Sequence, residues 1–490
     1  MTRIVLGVLI ALAFFLRVHD IATNPPELFE DEISGAMSAW SVVTTGHDVI
    51  ADHLPLFTTR LGPQLPLYGL STVPFQAVLG HTAVAVRLPA VLLGTALVPL
   101  LYLLLLRLTG RRVALIGAAL IAVLPWAVHF GRVGWDNAAY PALLLAGCVL
   151  LLDAVRRGSS RRLVVAAVVL ALSAYTYQIA ILETPLFAAA LCWPVRSRLR
   201  AFGASRIATA VAVAGVVVAP YVWLTLTVPL FTERSRSIST FADGINGESL
   251  ATFVHNYLAE LSPVFLFVSG DDNLRHGTGR GELFLWMLPF AVVGGAWCIA
   301  HARHEALAFI AIAWLALAPI PAAVTNDGVP HAARSMLELI AWPIIVALGM
   351  TAIWRALAAR HRPYVLAAVA ILALVESTSY YRDMYATYPV RSASSWQSGT
   401  AETMADVRRF TPVGGTACID TLSNFTFPHL VRWYLEGVPF RVIEHDDTQC
   451  RVSGDVLVLA PDAAGPAGAS EVARVTDLRG APVARLWQRR

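Results

Sequence analysis

The chain has 490 residues and no lysine; all 37 of its basic residues are arginine. Charge of either sign is scarce, at 14% of residues, where a soluble domain carries about 25%. No P-loop, GxSxG or HExxH pattern appears, so no familiar soluble-enzyme site is present. No basic stretch is interleaved with aromatic residues, which excludes a nucleic-acid groove and with it a nucleic-acid partner. Apolar sequence is what the chain has in quantity. Hydrophobic residues make up 57% of it and the mean hydropathy is +0.62. Apolar runs recur along most of the length, which places the chain in the membrane class.

A helix needs roughly 20 residues to cross the hydrocarbon layer. Eleven stretches approach that length: about 4–19, 85–106, 113–130, 138–154, 163–180, 181–195, 206–226, 283–301, 305–324, 334–354 and 362–379. Met1 to Val18 resembles a signal peptide, but no small-residue cleavage site follows and Arg17 and His19 close it, so it reads as an uncleaved first span. Arginines cluster in alternate short connections: Arg107, Arg111 and Arg112; Arg156, Arg157, Arg161 and Arg162; Arg196, Arg198, Arg200 and Arg206; Arg303; then Arg355, Arg360 and Arg362. Short arginine-rich loops stay in the cytoplasm. All the clusters agree if the N-terminus is cytoplasmic and the tail lies outside the cell membrane. The apolar stretch 66–80 reaches only about 22 Å as a helix, and counting it as a span would invert every later cluster. It reads instead as a juxtamembrane helix on the outer surface.

The expected organisation is therefore an all-α polytopic membrane domain over 1–380 and an extracytoplasmic domain over 381–490. Outer loops fall at 20–84 and 227–281. In the tail, Asp455 to Ala460 has strand character and Glu402 to Phe410 helix character, which suggests a small α/β domain. Cys148, Cys192 and Cys298 lie in spans and read as apolar packing. Cys418 and Cys450 share an oxidising compartment in this topology; a disulfide between them is plausible, and the sequence leaves it open.

Four polar stretches stand at the outer ends of spans. In the first loop, Glu30, Asp31 and Glu32 are adjacent. Mutual repulsion favours a raised pKa on one of them, and such a carboxylate suits a general base. The alternative is a solvated first turn of the following helix, where acids suit the dipole. The second stretch, HFGRVGWD, holds His129, Arg132 and Asp136. Arg132 is a cation on the outer side, against the usual bias. It reads either as an anion-binding fork or as an interfacial arginine paired with Asp136. The third, SGDDNLRHGTGR, holds Asp271, Asn273 and His276 among glycines. Asp271 and Asp272 hint at a metal, but no further ligand spacing supports one, and the stretch also reads as an ordinary polar loop. The fourth, TNDGVPHAAR, holds His331 and Arg334.

Taken in order, PPELFEDE, PLYGLSTVPF with AVRLPAVLLGT, LPWAVHFGRVGWD, GDDNLRH and PAAVTNDGVPHAARS resemble glycosyltransferase family 39 over about residues 10–380. That group includes the protein O-mannosyltransferases and lipid A aminoarabinose transferases, with the multi-span GT-C fold. The resemblance implies a polyprenyl- or dolichyl-phosphate sugar donor and inverting transfer on the outer face. Asp31 matches the family's first-loop acid, the presumed base, with Glu32 beside it. Asp136 matches a second acid and Arg132 a basic position near it. The family's Lys-Pro-Pro-Leu-Tyr stands here as Gln64, Leu65, Pro66, Leu67 and Tyr68, so the donor phosphate falls to Arg60, Arg132 or Arg334. Tyr68, His129, Asp271, Asn273, His276 and His331 are expected to contact substrate.

In such a transfer the phosphate leaves without protonation, so one base suffices and neither a metal nor another cofactor is expected. The expected partners are the donor lipid, the surrounding membrane lipids and an acceptor that is a protein, lipid or polysaccharide. A transporter or flippase of lipid-linked sugars is the alternative, though no half-to-half repeat appears and the acids sit in outer loops rather than mid-span. A membrane receptor using the tail as its ligand domain is a third reading, in which the first-loop acids would be dispensable.

Overall fold

The structure is a computed structural model that describes residues 1–47, 58–59, 62–63, 65–420, 428–435, 437–445, 450 and 454–489. Helices cover all eleven apolar stretches. In chain order the first are α1 (Thr2–Val18), α2 (Glu30–Thr45), α3 (Pro66–Leu79), α4 (Ala83–Leu108), α5 (Arg111–Val123), α6 (Pro125–Phe130) and α7 (Tyr140–Arg157). The stretch expected as one span at 113–130 is two helices. Pro125 has no N–H to extend the α5 ladder and its fixed φ suits the first position of a new helix, which is where it stands. The short amphiphilic segment after the first loop is helical, as α3.

Among the described residues, six helices are long and apolar enough to cross a membrane: Ala83–Leu108, Asp136–Arg157, Ala204–Thr227, Ala306–Ala323, Glu338–Ala356 and Ala359–Ala386. Ala180–Cys192 and Leu285–His301 are apolar but shorter. Two of the six bury little of themselves. Only 17% of the apolar window of Ala204–Thr227 and 6% of that of Ala359–Ala386 is buried. Val211, Val216, Trp223, Leu226, Ile371 and Leu374 stand exposed on them. Apolar surface on this scale marks a helix made for hydrocarbon rather than water.

The chain forms two compact units. The first comprises Met1–His19, Phe57–Tyr68 and Leu88–Arg382; the second comprises Asp20–Leu56, Gly69–Arg87 and Asp383–Arg490. Residues of the first outer loop thus belong with the tail, where a single cut near 380 was expected. In the first unit, helices Leu288–His301 and Glu338–Ala356 cross at Gly294 and Gly349. A Cβ on Gly294 would strike the carbonyl oxygen of Ile345, and one on Gly349 that of Phe290. Small residues at such a crossing let backbones touch where lipid supplies no hydrophobic drive. A two-residue ladder pairs β1 (Thr58–Thr59) with β2 (Gly62–Pro63).

The second unit holds a five-stranded sheet of β3 (Thr416–Asp420), β4 (Arg441–His445), β5 (Val456–Leu459), β6 (Ala469–Thr476) and β7 (Pro482–Arg489), in the order β4-β3-β5-β7-β6. β3 is parallel to β4 and β5, while β7 is antiparallel to β5 and β6. Alternation along the strands splits the sheet's two faces. Ala417, Ile419, Val456 and Val458 join one core with Met404 and Val407 of helix Thr400–Phe410, Leu430 and Val431 of helix Pro428–Leu435, and Ile33 and Met37 of α2. Cys418, Leu457 and Leu459 form the other. The expected α/β tail is present, with α2 built into its core. α3 lies against α2 so closely that a Cβ on Gly69 would strike the carbonyl oxygen of Gly35. Gln76 Nε2 donates to the Ala36 carbonyl at 3.1 Å.

Cys418 and Cys450 are disulfide-bonded, 32 residues apart in sequence. A closed loop of that length restricts the unfolded chain by about 3–4 kcal/mol. Replacing both cysteines with alanine should lower the thermal unfolding midpoint of the purified protein by several degrees. An unchanged midpoint in differential scanning fluorimetry would show that the link does not stabilise this unit.

Candidate active site

The three first-loop acids occupy the first turn of α2, where the helix dipole favours negative charge. They are not equivalent there. Glu32 is wholly buried and Asp31 is exposed. Glu32 Oε2 accepts the backbone N–H of Phe29 at 3.0 Å, closing the helix start. The same carboxylate takes a two-pronged ion pair from Arg87: Nε to Oε1 at 2.9 Å and Nη2 to Oε2 at 2.9 Å. Both side chains are at zero exposure. Arg87 spends its other N–H groups on the backbone of the preceding loop, donating to the carbonyls of Ile21 at 3.3 Å, Pro25 at 2.8 Å and Glu27. Its guanidinium lies 5.8 Å from the ring centre of Trp396. One arginine therefore holds the 21–32 segment in place. The structure thus places the carboxylate of Glu32, which the sequence reading assigned to the chemistry, on Arg87 and the Phe29 amide, in the helix turn that also carries Asp31.

Glu27, which sequence reasoning passed over, ties the same loop to the tail. It accepts from the Tyr434 hydroxyl at 2.8 Å and from the Ala401 N–H at 3.3 Å. Burial raises its carboxyl above the ordinary range, against those hydrogen bonds and the charge of Arg87. Burial and the neighbouring Glu27 likewise raise the Tyr434 phenol. Nearby, His81 stacks on Trp433 at 4.9 Å between ring centres and meets Trp40 edge-on at 5.4 Å.

The remaining candidates belong to the first unit, apart from Arg60, which lies outside the described residues. Arg132 is buried, and its Nη1 donates at 3.0 Å to the carbonyls of both Leu16 and Arg17. A cation there complements the negative end of α1, a structural task that neither reading of the sequence anticipated. Arg17 is buried too, donating to the carbonyls of Ala13, Ala122 and Ala127 at 3.0–3.2 Å. Asp136 opens a short turn leading into α7, and its Oδ1 accepts the Asn137 N–H at 2.8 Å. Tyr68 is buried against Ala90 and Ala139.

The third and fourth polar stretches come together. Asp271 is buried; its Oδ2 accepts from the Ala332 N–H at 2.8 Å and lies 3.0 Å from His276 Nδ1, and its Oδ1 accepts the Asn273 N–H at 2.7 Å. Asn273 Oδ1 in turn accepts the Arg275 N–H at 3.1 Å. His276 and His331 stack at 4.3 Å between ring centres. His129 reaches the same loop, its Nε2 lying 2.7 Å from the Arg275 carbonyl oxygen. Arg334 donates to Thr325 Oγ1 at 2.6 Å and to Asp327 Oδ2 at 2.8 Å. Two buried acids beside this cluster were not singled out from the sequence. Glu260 accepts from His331 N–H and Ser335 Oγ, both at 2.8 Å, and burial pushes its carboxyl up to about 7. Burial, then the charge of Asp271, raises the Glu282 carboxyl well above its usual range.

Comparison with known proteins adds three findings. Residues 66–223 match the sequence pattern of the dolichyl-phosphate-mannose-protein mannosyltransferase family. That stretch contains Tyr68, Arg87, His129, Arg132 and Asp136 and stops short of the first-loop acids. No curated protein matches by sequence. Among solved structures, ArnT from Cupriavidus metallidurans bound to undecaprenyl phosphate superposes with a TM-score of 0.63 at 15% identity, covering 98% of this chain and 97% of that one. The oligosaccharyltransferase of Archaeoglobus fulgidus in its apo form gives 0.56 at 14% identity, covering 94% and 70%. The archaeal oligosaccharyltransferase AglB from the same organism, in complex with an inhibitory peptide and a dolichol-phosphate, gives 0.55 at 12% identity, covering 93% and 69%. The chain has the GT-C glycosyltransferase fold over nearly its whole length and, within residues 66–223, the sequence pattern of the dolichyl-phosphate-mannose-protein mannosyltransferases.

Proposed function

We propose that the chain is a multi-pass glycosyltransferase of the cytoplasmic membrane that takes a sugar from a polyprenyl-phosphate donor. Its acceptor is a protein, lipid or polysaccharide on the outer face, and Asp31 is the general base. The observation that carries this is the inequality of the first-loop acids. Glu32 is buried and spent on Arg87, while Asp31, one residue away on the same fixed helix turn, faces solvent. A carboxylate on a helix turn at the solvent-exposed surface suits proton removal from a hydroxyl. The family pattern over 66–223 supports the class of reaction. The lipid phosphates named in the ArnT and AglB structures support the class of donor.

In the proposed step an acceptor hydroxyl attacks the anomeric carbon from the face opposite the phosphate. The new glycosidic C–O bond forms as the sugar–phosphate C–O bond breaks, and the hydroxyl proton passes to Asp31. The polyprenyl phosphate departs with the electron pair. Arginine stabilises the charge it carries away; the sequence resemblance offers Arg132 and Arg334 for that task, and both belong to the other compact unit and are tested separately from Asp31. Arg132 also holds the end of α1, so the two separate by experiment.

Asp31→Asn should lower transfer from polyprenyl-phosphate sugar in membranes by about 100-fold or more while leaving the thermal unfolding midpoint unchanged; transfer at the wild-type rate would remove Asp31 as base. Glu32→Gln should do the reverse in kind. Breaking a buried pair on one side costs about 3–5 kcal/mol, so its midpoint should drop sharply in a fluorescence melt. A Glu32→Gln protein as stable as wild type would overturn the positioning role. For the phosphate, Arg334→Gln should weaken labelled donor-lipid binding with little change in stability, and Arg132→Gln should lose stability as well. Donor binding unaffected by either change would rule out both arginines.

A further inference from the structure

We propose that Asp271, His276 and His331 form a binding site for a divalent transition-metal ion of the zinc class. The sequence argued against a metal, because Asp271 and Asp272 have no further ligands at a useful spacing. Folding supplies them from two loops. One ligand atom from each of the three side chains lies within 4.8 Å of the other two. That span closes on a single ion with shifts of under about 2 Å, since two ligands each about 2.1 Å from a metal stand no more than about 4.2 Å apart.

The surroundings hold the set in place. Asp271 bridges the loops, bonding His276 on one side and the Ala332 amide on the other. The backbone on either side of the His331 side chain is fixed twice more: its own N–H donates to Glu260 at 2.8 Å, and the Ala332 carbonyl accepts Trp126 Nε1 at 3.0 Å. Trp135 meets the His276 ring edge-on at 5.5 Å. Support of this kind, one layer behind the ligands, is what orients imidazoles in metal sites. His331 is 8% exposed, and its Nδ1 is buried with no hydrogen-bond partner among the described residues. A buried polar nitrogen left unsatisfied costs about 1–3 kcal/mol, which metal coordination would offset.

Ligand chemistry selects the ion. Two imidazole nitrogens and one carboxylate oxygen suit zinc or cobalt more than calcium or magnesium, which take six or more oxygens or several waters. Three protein ligands leave a fourth position open to a solvent or ligand oxygen. The site stands in the first unit and the inference does not depend on Asp31 or on the transferase reading.

The test uses the full-length protein in detergent, stripped with a chelator, dialysed against zinc chloride and then against metal-free buffer. Elemental analysis should find about one zinc per chain. His331→Ala and Asp271→Asn should retain less than about a tenth of that, and His255→Ala, an exposed histidine elsewhere in the second outer loop, should keep it all. Zinc absent from wild type, or undiminished in both site variants, overturns the proposal. Cobalt(II) added to the stripped wild-type protein gives a second reading that needs no variant to fold. The visible absorption of four-coordinate cobalt with nitrogen ligands supports the site, and the pale spectrum of the aqueous ion overturns it.

Discussion

A carboxylate and a guanidinium, both withdrawn from water, fix the first outer loop. Burying two charges is costly, and the mutual attraction of Glu32 and Arg87 offsets that cost only because the remaining hydrogen-bonding capacity is also met. Here it is: the Phe29 amide on the acid, three loop carbonyls and the Trp396 ring on the base. The result is a loop whose backbone hangs on a side chain from α4, and a helix start whose second residue is held outward. Arginine is required for this. A lysine at 87 has one charged nitrogen and no planar fork, so it could not grip both carboxylate oxygens and three carbonyls together.

The sequence made the membrane class, the helical stretches and the polar constellations legible, because each depends on local composition or on periodicity. It did not distinguish Asp31 from Glu32. Adjacent acids in one helix turn differ in role only through what the fold brings opposite them, and Arg87 stands 55 residues away from Glu32 in sequence. Arg87 lay in plain view within AVRLP, but an arginine in an apolar run reads as an interfacial anchor until its partner is known. Glu27 was hidden for the same reason, since its partners Tyr434 and Ala401 belong to the tail. Arg132 stood out in the sequence as a cation against the expected charge bias. Its hydrogen bonds to the end of α1 are invisible to any reading that treats spans one at a time. Asp271, His276 and His331 were each noticed, in two separate stretches, and nothing in their spacing said that they meet.

Division of labour among arginines runs through the molecule. Arg17, Arg87 and Arg132 are fully or almost fully buried and act on backbone carbonyls, which puts cations where helix ends and loop turns expose oxygen. Among the arginines of the short connections, Arg107 grips both oxygens of Asp153 at 2.7 and 2.8 Å, while Arg196 and Arg362 donate to the carbonyls of Trp193 and Leu357. With no lysine in the chain, one residue type performs all of these tasks.

The second compact unit joins residues 20–87 to residues 383–490, and Glu27 finds its hydrogen-bond partners 374 and 407 positions downstream. At roughly 5–20 residues per second of synthesis, the first loop leaves the ribosome on the order of 20–80 s before Tyr434 exists. During that interval the helices are inserted one after another while the acid-bearing loop waits without its core. A ribosome that stalls anywhere before the tail therefore leaves a chain whose first loop lacks the sheet and helices that complete its core.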